Sequence, residues 1–175
     1  MRYLVFSDTH GASRNMIEVT RRCQSDTDGV IFLGDVCSDT ELVRERFPNI
    51  PIYAVAGNCD LSSKYLTPEY AERMLEVDGI RVLMLHGHTR SVKFHLGELE
   101  AYARRAAADV VLFGHTHERC CKYTNTNGKP LYIFNPGSAG LPKDGLPPSF
   151  GVLNIENGQI LLSHGDVHIN KGGHS

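Results

Sequence analysis

Seven residues of this chain share a chemical character and a position. Asp8, His10, Asp35, Asn58, His86, His115 and His117 carry carboxylate, amide or imidazole donors, and each stands just beyond an apolar run. Gly114-His115-Thr116-His117 follows Val110–Phe113, and Asp8 and His10 follow Tyr3–Phe6. Gly34-Asp35 follows Gly29–Leu33, Gly57-Asn58 follows Ile52–Ala56, and His86 ends Ile80–Leu85. Two carboxylates, one amide and four imidazoles are donor types that suit borderline divalent ions. Seven donors are too many for one four-ligand site, but sharing one carboxylate gives each of two ions four ligands. Paired ions ~3.5–4 Å apart are the arrangement that serves phosphoryl chemistry.

Singly, each donor has an ordinary explanation. Asp8 suits a helix cap, Asp35 and Asn58 suit turns after glycine, and His86 suits a solvated strand end. Together those explanations require one coincidence repeated after five separate buried strands. Two dications would be only half neutralised by Asp8 and Asp35. A water bridging them would ionise near neutral pH, as zinc-bound water does at a pKa of about 7. The resulting hydroxide could attack phosphorus in line, and no protein nucleophile is needed.

The donors imply strands that end at one edge. Tyr3–Phe6, Gly29–Leu33, Ile52–Ala56 and Val110–Phe113 read as buried strands. A helix fits Asn15–Cys23, capped by Ser13, with Met16, Val19, Thr20 and Cys23 inward. A polar helix fits Glu41–Phe47 and stops at Pro48, residues 61–70 read as a loop, and Leu96–Ala107 is amphipathic. Arg73–Val77 and Ile80–Leu85 form a hairpin about Asp78-Gly79. Cys120–Tyr123 pairs with Leu131–Phe134 about Asn127-Gly128, and Gly151–Ile155 with Gln159–Val167 about Asn157-Gly158. The tail from Asn170 to Ser175 is expected to fray. Strand–helix alternation followed by hairpins predicts two packed sheets with helices outside. Ligands in open α/β sheets bind beyond the carboxyl ends of the strands, where these donors lie.

Residues 1–175 are expected to form one domain. A net charge of -2, with no basic run, offers no hold on a nucleic acid polymer or an anionic membrane. No apolar stretch approaches the ~20 residues of a membrane span. The five cysteines are odd in number and match no zinc-knuckle spacing. Met1–Phe6 meets Ser7-Asp8 too early for a signal segment, so a reducing cytoplasm is the expected location. Oligomeric state is not legible.

Asp8-x-His10, Gly34-Asp35, Gly57-Asn58, His86-Gly87 and Gly114-His115-x-His117 resemble, in order and spacing, the calcineurin-like metallophosphoesterases. The resemblance runs from residue 4 to about 140. Gly57-Asn58-Cys59-Asp60 with Asn135-Pro136-Gly137-Ser138 is similar to the YfcE-type phosphodiesterase branch. This resemblance implies an α/β fold, a four-layer αββα sandwich of two mixed β-sheets flanked by helices. It implies one metal on Asp8, His10, Asp35 and His117, and a second on Asp35, Asn58, His86 and His115, with Asp35 bridging. Manganese is the family's common ion, with iron, zinc, nickel or cobalt as substitutes, and a small phosphodiester is the implied substrate.

One position departs from the family pattern. Most members place a histidine after the asparagine, where it can protonate the leaving oxygen, and this chain has Cys59. A thiol is a poor substitute, so aryl leaving groups are expected to be favoured over alkyl ones. His88 is a candidate replacement donor. Asp60 is a candidate to orient the site, whereas Pro136-Gly137 explains the turn holding Asn135 and Ser138 without function. Arg90, Lys93 and His95 are candidates to hold phosphate, read more simply as solvated charges. Cys120 and Cys121 read as strand packing, and Cys37 beside Cys59 suggests sensitivity to oxidation. Two alternatives share the fold: a retromer-subunit-like interaction scaffold, and a nuclease or phosphomonoesterase. The full donor set argues against the first, and the missing basic patch argues against a nuclease.

Overall fold

The computed structural model describes residues 1–143 and 145–168, which carry ten strands, four α-helices and one short 3₁₀ helix, Gln24–Asp26. Its first half runs β1 (Arg2–Phe6), α1 (Ser13–Cys23), β2 (Gly29–Phe32), α2 (Asp39–Arg46), β3 (Ile52–Ala54), α3 (Pro68–Ala71) and β4 (Glu72–Val77). The second half runs β5 (Ile80–Leu85), α4 (Gly97–Arg105), β6 (Val110–Leu112), β7 (Arg119–Thr126), β8 (Lys129–Pro136), β9 (Ser149–Glu156) and β10 (Gln159–Asp166). Residues 170–175, expected to fray, lie outside the described residues.

The strands form two mixed sheets, ordered β10-β9-β1-β2-β3 and β4-β5-β6-β8-β7. In the first, β1, β2 and β3 are parallel, and β9 and β10 continue it antiparallel. In the second, β5, β6 and β8 are parallel, flanked by antiparallel β4 and β7. Strand alternation splits the apolar side chains between faces. Val5, Ile31, Met84, Leu112 and Leu153 pack between the two sheets. Leu4, Phe6, Val30 and Phe32 face outward onto Met16 and Val19 of α1 and Val43 of α2. Leu83, Val111 and Ile133 face the other way, onto Leu99 and Ala103 of α4. The layers are therefore helix, sheet, sheet, helix, as the fold reading anticipates.

All three expected hairpins close on Asp78-Gly79, Asn127-Gly128 and Asn157-Gly158. Both residues of each pair have positive φ, from 49° to 76°, as a type I′ turn requires. Three local expectations need correction. Ser13 is the first residue of α1 and not its cap; Ala12 precedes the helix and no side chain caps it. The segment 61–70 is not all loop, because Pro68 opens the short α3 at the position where a missing N–H costs nothing. β2, β3 and β6 stop one or two residues early, at Phe32, Ala54 and Leu112. Beyond those points the backbone bonds between loops: Ala56 N donates to Tyr70 O at 2.6 Å and Gly114 N to His86 O at 3.0 Å.

Candidate metal centre

Five parallel strands, β1, β2 and β3 of one sheet and β5 and β6 of the other, deliver the seven donors to one end of the molecule. The chain leaves those strands abruptly. Asp8, His10, Asp35, His115 and His117 all have positive φ, between 47° and 68°, a region that side chains other than glycine avoid. Such strain persists where the surroundings over-determine it, and it concentrates at functional sites. Here it turns the donors back over the sheet edges. Glycine makes the close approach possible: a Cβ on Gly57 would stand 2.1 Å from Asp35 Oδ1, and one on Gly114 1.9 Å from Ser7 Oγ.

Asp8, His10, Asp35 and His117 converge, each with a ligand atom within 4.8 Å of the others. His10 Nε2 and His117 Nε2 are 3.3 Å apart, and His117 Nε2 is 3.3 Å from Asp8 Oδ1. Nδ1 of His117 donates to the Leu141 carbonyl at 2.6 Å, which leaves the Nε2 lone pair of the neutral ring facing the cluster. His86 follows the same logic. Its Nδ1 donates to the Leu33 carbonyl at 2.6 Å, so Nε2 points at Asp35 Oδ1, 3.5 Å away, and Asp8 Oδ1, 4.0 Å away. His86 Nε2 and Asp8 Oδ1 are buried without a hydrogen-bond partner among the described residues. Lone pairs aimed at lone pairs in a buried space are costly unless a cation lies between them. The donor set therefore fits a divalent metal.

Asp35 carries contacts on both sides, with Oδ2 3.6 Å from His10 Nε2 and Oδ1 near His86. The His86 and His115 rings are 5.1 Å apart. Asn58 is exposed at the rim, and its amide donates to Cys59 Sγ at 3.4 Å. Cys59 is also exposed, while its backbone N donates to Asp35 Oδ1 at 2.9 Å. His88 is exposed as well, its ring 5.4 Å from His86 and 6.1 Å from His115. Four donors are thus drawn into one cluster, His86 and His115 stand edge to face at its side, and Asn58, Cys59 and His88 line its edge.

The protonation equilibria reflect this crowding. Burial raises the Asp8 carboxyl, but His117, His86 and the Ser7 hydroxyl outweigh it and hold it below the usual range. Burial, then His86 and Lys93, push His115 down to about 4. Contact with Asp8 raises His117. Partial desolvation and the Asp35 carboxylate push the Cys59 thiol up to about 11.

Several supporting residues look incidental in the sequence or give no signal there. Asp60 is buried and accepts backbone N–H groups from Asp35 at 3.0 Å, Cys37 at 2.6 Å and Gly57 at 2.8 Å, tying the β2 and β3 loops together. Asn135 and Ser138 are more than turn residues. Asn135 Nδ2 donates to Gly114 O and Thr116 Oγ1, both at 3.0 Å, and Ser138 Oγ donates to the Asp8 carbonyl at 2.7 Å. Ser7 Oγ donates to Asp8 Oδ2 at 2.5 Å. A polar residue following an apolar strand is the signal available for each, and it does not name the partner loop. Arg90 is not a free solvated charge: it lies 4.0 Å over the Tyr102 ring and 3.8 Å from Glu72. Lys93 and His95 are exposed. Cys37 is buried with its thiol bonded to the Val55 carbonyl at 3.3 Å, so it is sequestered from oxidants in solvent. Cys120 packs partly against the α4 side of its sheet, whereas Cys121 is exposed and packs little.

Known proteins give this geometry a context. The chain is 32% identical over 158 residues to the probable metallophosphoesterase YsnB of Bacillus subtilis, covering 90% of this chain and 86% of the relative. It is 30% identical to the phosphodiesterase YfcE of Escherichia coli, covering 88% of each. A Streptococcus pneumoniae protein described as a predicted phosphoesterase shares the fold with a TM-score of 0.73 at 23% identity, over 97% of this chain and 93% of that one. Residues 1–158 match the calcineurin-like phosphoesterase superfamily domain, and to that superfamily this chain belongs.

Proposed function

We propose that this protein is a binuclear-metal phosphodiesterase acting on small diesters. Asp8, His10, Asp35 and His117 hold one divalent ion, and Asp35, Asn58, His86 and His115 hold a second, with manganese the expected metal. The observation that carries this reading is the buried facing of Asp8 Oδ1 and His86 Nε2, both without a hydrogen-bond partner among the described residues, with Asp35 Oδ1 3.5 Å from the same imidazole nitrogen. When bound, the ions supply Lewis acidity, lowering the pKa of a coordinated water toward neutrality and offsetting phosphate charge. The chain's own part is to fix the donors. The Leu33 and Leu141 carbonyls select the tautomers of His86 and His117, while Ser7 and Asp60 lock the Asp8 and Asp35 loops. Asn58, Cys59 and His88 at the rim stand where a leaving group departs. The similarity to YfcE, a phosphodiesterase, supports the diester assignment. All five cysteines are free, which suits a reducing compartment such as the cytoplasm.

Cys59 offers a thiol where an imidazole would be a better proton donor, so acidic aryl leaving groups should be turned over faster than alkyl ones. The manganese-loaded protein should hydrolyse bis(p-nitrophenyl) phosphate and lose that activity to a chelator. Cys59→His should raise the rate on alkyl diesters by about 10²-fold, within the usual range for general acid catalysis. Equal rates on aryl and alkyl esters in the parent protein would contradict the leaving-group claim. Chelator-resistant turnover would contradict the metal assignment. A purely scaffolding role finds little support in a donor set this complete.

A further inference from the structure

A recess of about 410 Å³ opens beside the candidate centre. Its floor is Ala56 and Gly57, immediately before Asn58. The crossover from β3 to β4 supplies one wall, including Leu66 and Ala71, and the loop after β5 supplies the other, including His88 and Arg90. That volume lies within the ~300–1,000 Å³ of small-molecule sites. Two larger recesses, about 550 Å³ at Arg2 and Asp28 and about 630 Å³ at Asp109 and Lys129, sit at the amino ends of the parallel strands, opposite the donors. A third, of about 480 Å³, lies on the other side of the Asn58 loop, lined by Glu41, Cys59 and Lys64.

Two features connect the smaller recess to the centre. Gly57 packs against the Asp35 carboxylate, and the His88 ring stands 5.4 Å from His86. The wall is charge-neutral. Glu72 accepts a hydrogen bond from the Tyr102 hydroxyl and pairs with Arg90, whose guanidinium also stacks on Tyr102. A second phosphate or a polyanion gains little there. Leu66, 67% exposed, brings a large apolar side chain to the same recess. One exposed leucine is ordinary on a protein surface, but this one lines a cavity whose floor continues into the Asn58 loop.

Building on the phosphodiesterase reading, we propose that this recess is a substituent subsite. It receives an uncharged, ring-sized organic group of the ester between Leu66 and His88, while the phosphate lies at the donors around Asp35. Burying one ring against Leu66 should strengthen binding by about tenfold or more.

Calorimetric titration of the manganese-loaded protein with diphenyl phosphate, dimethyl phosphate and inorganic phosphate tests the subsite. Diphenyl phosphate should bind at least about tenfold tighter than dimethyl phosphate. Leu66→Ser and Ala71→Phe, both at exposed positions, should each remove most of that difference and leave inorganic phosphate binding unchanged. Equal affinity of the two diesters for the parent protein, or a difference that survives both variants, overturns the subsite and leaves the phosphodiesterase reading standing. Loss of inorganic phosphate binding in both variants would mark damage to the centre and also count against the subsite. If none of the three ligands binds the parent protein, both readings fall together.

Discussion

Asp60 lies among the donors in sequence, yet its carboxylate is fully occupied by three backbone N–H groups from the loops carrying Asp35 and Gly57. An amide at this position would present its own N–H₂ toward donors that need an acceptor, leaving buried N–H groups unpaired. Asp60→Asn should therefore lower manganese affinity about 10- to 100-fold, the usual effect of removing a group that orients metal ligands. Titration of the folded variant with manganese measures this, and an unchanged affinity would show that the Asp35 loop holds its shape unaided. The seven donors were legible because their residue types announce their chemistry. Asp60, Asn135 and Ser138 were not, because what they do is defined by a partner far along the chain. Ser138, for instance, holds the carbonyl of Asp8, 130 residues away.

The strand ends decide where the donors go. Asn-Gly and Asp-Gly turns were readable because their residues match the left-handed backbone they adopt. The loops at Asp8, Asp35, His115 and His117 adopt the same backbone region with no glycine after the residue to mark a turn. Their conformation is imposed by tertiary contacts, and this also explains why strands read as running to Leu33, Ala56 and Phe113 end sooner. Leu33, for example, gives its carbonyl to His86. Two glycine substitutions separate local strain from damage to the site. Gly57→Ala drives a methyl into Asp35 and should abolish manganese binding, with a loss of about 1–3 kcal/mol in stability from overpacking. Gly128→Ala, in a hairpin turn with open space around it, should cost about 1–2 kcal/mol through its positive φ and leave manganese binding intact. Chemical denaturation and metal titration of the pair would show it, and equal metal affinity in both would remove the loop-packing argument.

Across the molecule, the parallel strands of both sheets end on one side, and the antiparallel strands β4, β7, β9 and β10 contribute none of the seven donors. The change from strand–helix alternation to hairpins made two sheets legible in the sequence. Their order was not, since β9 joins β1 across most of the chain, with Leu4 opposite Val152. Stacking the sheets through Val5, Ile31, Met84 and Leu112 brings Asp8 and Asp35 from one to His86 and His115 from the other. A site divided in this way is complete only when both sheets are docked. Metal stoichiometry tests the account most directly. Manganese counted by elemental analysis on the purified, reconstituted protein should reach two ions per chain, and Asp35→Asn should lower both that number and diester hydrolysis, the latter by about 100-fold or more. A well-folded protein that saturates at one ion, or an Asp35→Asn variant as active as its parent, would contradict it.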